Sequence, residues 1–272
     1  MGYPMNPRFA LGVQYDGRDW QGWQSQPHGR TVQDVLEAAL LSFTGAPVRI
    51  TAAGRTDTGV HALGQVVHFE TPASRPAHAW VRGLNSLLPD SVAIDWALPV
   101  ASDFHARFSA RARVYQYVLY LSPVRSAHLV GRTGWVHHDL DLARMQAAAR
   151  HAEGEHDFSA LRSAQCQARS PIKVLHGVRL EQQGPFVVVS LRADAFLHHM
   201  VRNLMGCLLV VGRGQRPPEW LSEVLASRDR SKAAPTFMAD GLYLAGVEYP
   251  ETFAIPGAAA LDTVFPGLGA RP

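Results

Sequence analysis

The first regular element shows as an alternation of apolar and polar positions. Phe9, Leu11, Val13 and Tyr15 alternate with Ala10, Gly12 and Gln14, which predicts a strand over 8–15. Asp16-Gly17 ends it as a turn. Trp20 to Gln26 reads as an aromatic, glutamine-rich loop. The period then lengthens: Val32, Val35, Leu36, Ala39, Leu40 and Phe43 share one helical face. Thr31, with Asp34 three residues on, opens this helix in a capping-box pattern, and Gly45 stops it. A β-prone run (Val48, Ile50, Thr51) and a second (Val66, Val67, Phe69) flank a polar, glycine-bearing excursion. A helix over 76–88, with Trp80, Leu84 and Leu87 on one face, and a strand over 92–98 follow. Residues 8–98 therefore read β-α-β-β-α-β, the ferredoxin-like unit.

The second part repeats the order with insertions. It comprises a strand over 114–120, an alanine-rich helix over 139–151, and a loop over 157–169. A hairpin then runs from Ile172 through Gly184 to Leu191, followed by an apolar helix over 196–212, a shorter one over 217–226, and a strand over 241–249. A hinge at 99–103 divides the chain into an N-terminal half, 1–103, and a C-terminal half, 104–272. No residue-level identity links the halves, so the repeat is one of topology. The Ala-, Gly- and Pro-rich stretch from Pro250 reads as a loosely packed tail.

At 272 residues and 47% apolar content the chain can bury a sizeable core. Cys166 and Cys207 make no C-x-x-C, so neither a disulfide framework nor a zinc ribbon is expected, and a reducing cytoplasm fits. The start lacks the apolar core of a signal peptide. The apolar run over 204–211 is too short to span a bilayer, so no membrane partner is expected.

Net charge is a mild +3, and its distribution says more: lysine occurs only at Lys173 and Lys232 among 26 basic positions, and the rest are arginines. Arginine presents a planar fork suited to phosphate. Arg107, Arg111 and Arg113 fall within seven residues, with Arg125 and Arg132 beyond, which reads as a phosphate-binding stripe. If extended, the segment would place 107, 111 and 113 on one face.

The chemistry concentrates in Gly54-Arg55-Thr56-Asp57-Thr58-Gly59-Val60-His61. Gly54 and Gly59 have P-loop spacing, but Val60-His61 replaces the required Lys-Ser/Thr; a G-x-G-x-x-G fingerprint is absent. Arg55 and Asp57 are two apart and point the same way in an extended stretch. A nearby positive charge favours a carboxylate's ionised form, and a carboxylate nucleophile must be charged and reachable. A surface ion pair stabilising a hairpin accounts for the same residues, and these two readings stay open on chemistry alone. Neighbouring histidines (His137-His138-Asp139, and His198-His199 with Cys166) raise a metal reading, but adjacent helical side chains diverge by about 100° and make poor shared ligands. No metal is expected.

Gly54-Arg55-Thr56-Asp57-x-Gly59-Val60-His61 resembles the signature of the tRNA pseudouridine synthase A family. Further resemblance runs in order along 9–249: Tyr15-Asp16-Gly17, Gly22-Trp23-Gln24, Phe104-His105-Ala106-Arg107-Phe108-Ser109, Tyr115-x-Tyr117, His156-Asp157-Phe158, Cys166-Gln167-x-Arg169, His199-Met200-Val201-Arg202-Asn203 and Gly241-Leu242-Tyr243-Leu244. The departure is Thr58, where the family usually has a smaller residue.

The resemblance implies an α+β fold of two ferredoxin-like halves with joined, mixed, mainly antiparallel sheets and flanking helices, and Asp57 between the halves. It implies a cytoplasmic, homodimeric isomerase that converts uridine to pseudouridine at positions 38, 39 and 40 of the tRNA anticodon stem-loop, without cofactor. Asp57 would be the nucleophile, at C1′ or at C6 of uracil. Arg55 would pair with Asp57 and help extrude the base. Tyr115 would stack on the uracil and assist proton removal; alternation alone does not separate it from Tyr117. Arg202 would lie near the site, and Leu242 would line the uracil pocket. Two rivals are a non-catalytic RNA-binding module and a histidine-based metal hydrolase. The intact Asp57 and the lack of an RNP1-type aromatic run argue against the first, and activity that resists EDTA would exclude the second.

Overall fold

The computed structural model describes residues 6–73, 75–257, 261, 264 and 265. The chain separates into two compact units, Met1–Arg111 with Leu244–Leu261, and Ala112–Tyr243 with Asp262–Pro272.

In the first unit, β1 (Arg8–Tyr15), α1 (Val32–Thr44), β2 (Thr51–Ala52), β3 (His61–Glu70), α2 (Ala77–Asn85) and β4 (Val92–Val100) follow in order. β1 is central, antiparallel to β3 on one side and to β4 on the other, and β2 pairs antiparallel with β3. The strand order 4-1-3-2 is that of a ferredoxin-like sheet. α1 starts where the sequence signals it: the Thr31 hydroxyl accepts from the Asp34 N–H, and Gly45 ends it in the left-handed region at φ 76°. The run before the motif yields only two strand residues. The Ile50 N–H is taken by the Glu37 carboxylate at 3.2 Å, so it makes no ladder bond. α2 stops at Asn85, so Leu87 falls outside the helix and is 47% exposed, while Trp80 and Leu84 are fully buried.

Segment 104–111 belongs with this first unit. Phe104 is fully buried, its ring against Tyr249 and Phe253, and its carbonyl accepts from Arg8 at 2.7 Å. Phe253 touches the unit through Phe104 and Leu261 is buried, whereas Glu251, Thr252, Ala254, Pro256 and Gly257 are exposed, and much of the remaining tail expected to pack loosely lies outside the described residues.

In the second unit, β5 (Ala112–Leu121), β6 (Gly134–Val136), α3 (Leu142–Arg150), β7 (Gly154–Asp157), β8 (Ile172–Gln183), β9 (Phe186–Ala193), α4 (Met200–Gly212) and α5 (Trp220–Ser227) follow. The order is β5-β9-β8-β7, antiparallel throughout, with the short β6 parallel to β5. A last strand, β10 (Leu242–Glu248), begins in this unit and ends in the first. β6 and β7 are too short to show a period, so the sequence pattern did not mark them. α4 begins at Met200 rather than near Phe196, because His199 sits in the left-handed region at φ 65°. Among the described residues no helix is long and apolar enough to cross a membrane.

Candidate active site

The polar excursion between β2 and β3 is held rigidly by its own unit. Thr56 is buried, and its hydroxyl shares a 2.8 Å hydrogen bond with the buried Tyr15 hydroxyl. Burial pushes the Tyr15 phenol well up from its ordinary value, so it stays protonated. The Thr56 carbonyl accepts from the Trp23 N–H at 3.1 Å. Gly22, at φ 83°, allows this approach: a Cβ there would lie 2.9 Å from the Thr56 carbonyl oxygen. Gln65, fully buried at the middle of β3, donates to the Gly54 carbonyl at 2.7 Å and accepts from the Gly54 N–H at 3.4 Å. The Val60 N–H closes a turn onto the Asp57 carbonyl at 3.1 Å, with Gly59 at φ 81° inside it. His61 then accepts from the Gly17 N–H at 3.1 Å.

Asp57 thus rides between two fixed points, with its side chain half-buried; Arg55 and Thr58 are exposed. The exposure at Thr58 gives the larger residue room. A half-exposed carboxylate on a fixed backbone is suited to nucleophilic or general-base work.

Arg107 and Arg111 also lie in the first unit and are exposed. The segment carrying them is not extended: 106–108 form a turn, and β5 starts only at Ala112. The common face expected for 107, 111 and 113 therefore does not form. Arg113 lies in the second unit, 8% exposed, and donates to the Asp194 carbonyl at 2.7 Å.

Tyr115, Arg202 and Leu242 lie in the second unit. Tyr115 and Tyr117 sit two apart on β5, and their surroundings separate them. Tyr117 has no exposed surface, donates to the Met238 carbonyl, and packs on Phe237. Tyr115 retains some exposure and meets Phe196 edge to face at 5.1 Å. Arg202, half-buried on α4, donates through Nε to the Phe237 carbonyl at 2.9 Å. Leu242 is buried at the start of β10.

Sequence reasoning missed the supports: Tyr15, Thr56 and Gln65. The available signal was polar residues within a strand that is buried from His61 through Phe69. A buried polar side chain in such a strand needs a partner, and the glycine-rich loop leaves backbone groups to serve.

A family model described as tRNA pseudouridine synthase matches residues 12–109 and 148–250. A protein of Paraburkholderia xenovorans named tRNA pseudouridine synthase A is 63% identical over 249 residues, 92% of each chain. One of the same name from Burkholderia lata is 60% identical over 251 residues, 92% of this chain and 93% of that one.

Proposed function

Since the chain belongs to the tRNA pseudouridine synthase family, we propose that Asp57 is the nucleophile with which it modifies positions 38, 39 and 40 of the anticodon stem-loop. The protein is an isomerase that converts uridine in tRNA to pseudouridine. The observation that carries the proposal for Asp57 is its place in the fixed loop: a half-exposed carboxylate whose preceding residues are anchored by Tyr15, Trp23 and Gln65.

The reaction needs no net oxidation and no water. The carboxylate adds at C1′ or C6, and the N1–C1′ bond breaks. The base turns, C5 bonds to C1′, and the bond to the Asp57 carboxylate breaks, which frees Asp57 again. The proton leaves C5, and N1 gains one, so product and substrate are isomers. A base stacked in a helix is out of reach of a protein group, so the uridine must be extruded. The exposed Arg55 is suited to fill the space it leaves. Tyr115 stacks on the uracil and helps remove the C5 proton. Tyr117, fully enclosed and donating to the Met238 carbonyl, is committed to packing, which supports that choice. Leu242 and Arg202 contact the nucleotide. Arg107 and Arg111 hold phosphates, which their exposure permits. Arg113, being buried, serves the framework of the unit instead. The chain works without a cofactor, as a cytoplasmic homodimer.

Mapping pseudouridine in bulk tRNA after incubation with the purified protein tests the positions. Asp57→Asn keeps the side chain's size and removes its charge. It should abolish turnover while tRNA still binds, and turnover near wild type would take Asp57 out of the nucleophile role.

A further inference from the structure

Within the second unit, residues 235–237 lie along α4 and run toward its N-terminus. Pro235 rests directly on the helix: a Cβ at Gly206 would fall 2.2 Å from the Pro235 carbonyl oxygen. Thr236 meets Asn203, which has no exposed surface. The Asn203 amide nitrogen donates to the Leu161 carbonyl at 2.7 Å, and its oxygen accepts from the Thr236 hydroxyl at 2.6 Å. The Arg230 guanidinium donates to both, at 3.1 Å to the Asn203 oxygen and at 3.1 Å to the Thr236 hydroxyl. The buried amide is thereby satisfied, and three side chains close a triangle of hydrogen bonds.

The triangle stands next to Arg202. The Phe237 N–H donates to the Arg202 carbonyl at 3.2 Å, and Arg202 Nε donates to the Phe237 carbonyl at 2.9 Å. Phe237 thus holds both the backbone and the side chain of Arg202. An arginine side chain is rotamer-rich. A bond at Nε directs its terminal fork only if the accepting carbonyl is itself held. Phe237 belongs to no helix or strand, so no ladder holds that carbonyl. Its neighbours do: Tyr117 donates to the Met238 carbonyl on one side, and the Thr236 hydroxyl ties to Asn203 on the other.

We propose that Thr236, through Asn203 and the Phe237 carbonyl, is a positioning residue that aims the Arg202 guanidinium. The inference rests on the reading that Arg202 contacts the nucleotide, and it names the groups that hold Arg202 for that contact. Holding the side chain beforehand spares the cost of ordering it on binding.

The test is a double-mutant cycle on pseudouridine formation. Thr236→Val deletes the hydroxyl and keeps the shape, and Thr236→Ser keeps the hydroxyl. Arg202→Gln removes the terminal fork and leaves an amide nitrogen where Nε stood. Second-order rate constants are measured in single turnover, per folded molecule, with urea unfolding beside them. Thr236→Val should lower the rate constant by about 3- to 30-fold, within the range for groups coupled in one hydrogen-bond network. Thr236→Ser should match wild type. In the Arg202→Gln background Thr236→Val should cost nothing further, because no fork is left to aim. A wild-type rate constant in Thr236→Val would overturn the positioning role. So would an equal loss in both backgrounds, which is what a general loosening of the unit produces. Arg202→Gln alone separates the two claims. If it keeps the wild-type rate constant, the nucleotide contact fails and takes the positioning role with it. If it is slowed and the two changes simply add, only the positioning role fails.

Discussion

Tyr15→Phe isolates the contribution of loop fixation to catalysis. It deletes one oxygen and leaves the ring, which packs 5.8 Å from Trp23. The deleted hydroxyl is 2.8 Å from the Thr56 hydroxyl, and Tyr15 and Thr56 are 4% and 7% exposed. Water therefore does not readily replace the lost partner. Losing a neutral hydrogen bond costs about 1 kcal/mol, and leaving the Thr56 hydroxyl buried and unsatisfied raises this to about 1–3 kcal/mol. Gln65 also reaches the Tyr15 hydroxyl and loses that contact, but its bonds to Gly54 and that of Trp23 to Thr56 keep the loop folded. Asp57 then sits on a looser backbone, and a displacement of the order of 1 Å costs up to about 100-fold in rate. The expected result is a denaturant midpoint lowered by the equivalent of about 1–3 kcal/mol, with single-turnover pseudouridine formation down about 10- to 100-fold and tRNA affinity unchanged. Urea unfolding beside single-turnover rates at saturating enzyme reads both. A variant that loses stability but keeps the wild-type rate per folded molecule would refute the argument that these supports position Asp57.

Acid should weaken the first unit through His68. Burial first, then the charges of His105 and Arg8, push its imidazole down to about 4. The unfolded chain, with an ordinary His near 6.5, binds more protons between those values. Stability should therefore be intact above about pH 6.5 and fall by about 1–2 kcal/mol toward pH 4, discounted for partial solvent access. In urea titrations across this window, His68→Gln should flatten the slope; an unchanged slope would assign the acid sensitivity elsewhere. Arg111→Gln should lower the slope of log tRNA affinity against log salt by about one and leave stability unchanged. Arg113→Gln should do the opposite, because it strips the buried bond to the Asp194 carbonyl; equal salt slopes for the two variants would contradict their different burial.

The sequence alone determined whatever depends on local period and local chemistry. Strand β1 has the bounds its alternation predicts, and α1 begins at its Thr31 cap and ends at Gly45. The repeated β-α-β-β-α-β order was legible because each element buries one face, and the period of that face is written in consecutive residues. The motif Gly54–His61 was legible because its residue types are unusual together. Tertiary structure decided what depends on distant partners. Glu37 takes the Ile50 N–H and shortens β2. Tyr15 and Gln65, far apart in sequence, meet the two ends of Gly54–Thr56. Alternation made Tyr115 and Tyr117 equivalent, and it placed Arg111 and Arg113 alike. Only packing against Met238, Phe237 and Asp194 distinguished them. Alternation specifies which side of a strand a residue takes, whereas burial depends on what covers that side, and the covering groups come from other parts of the chain.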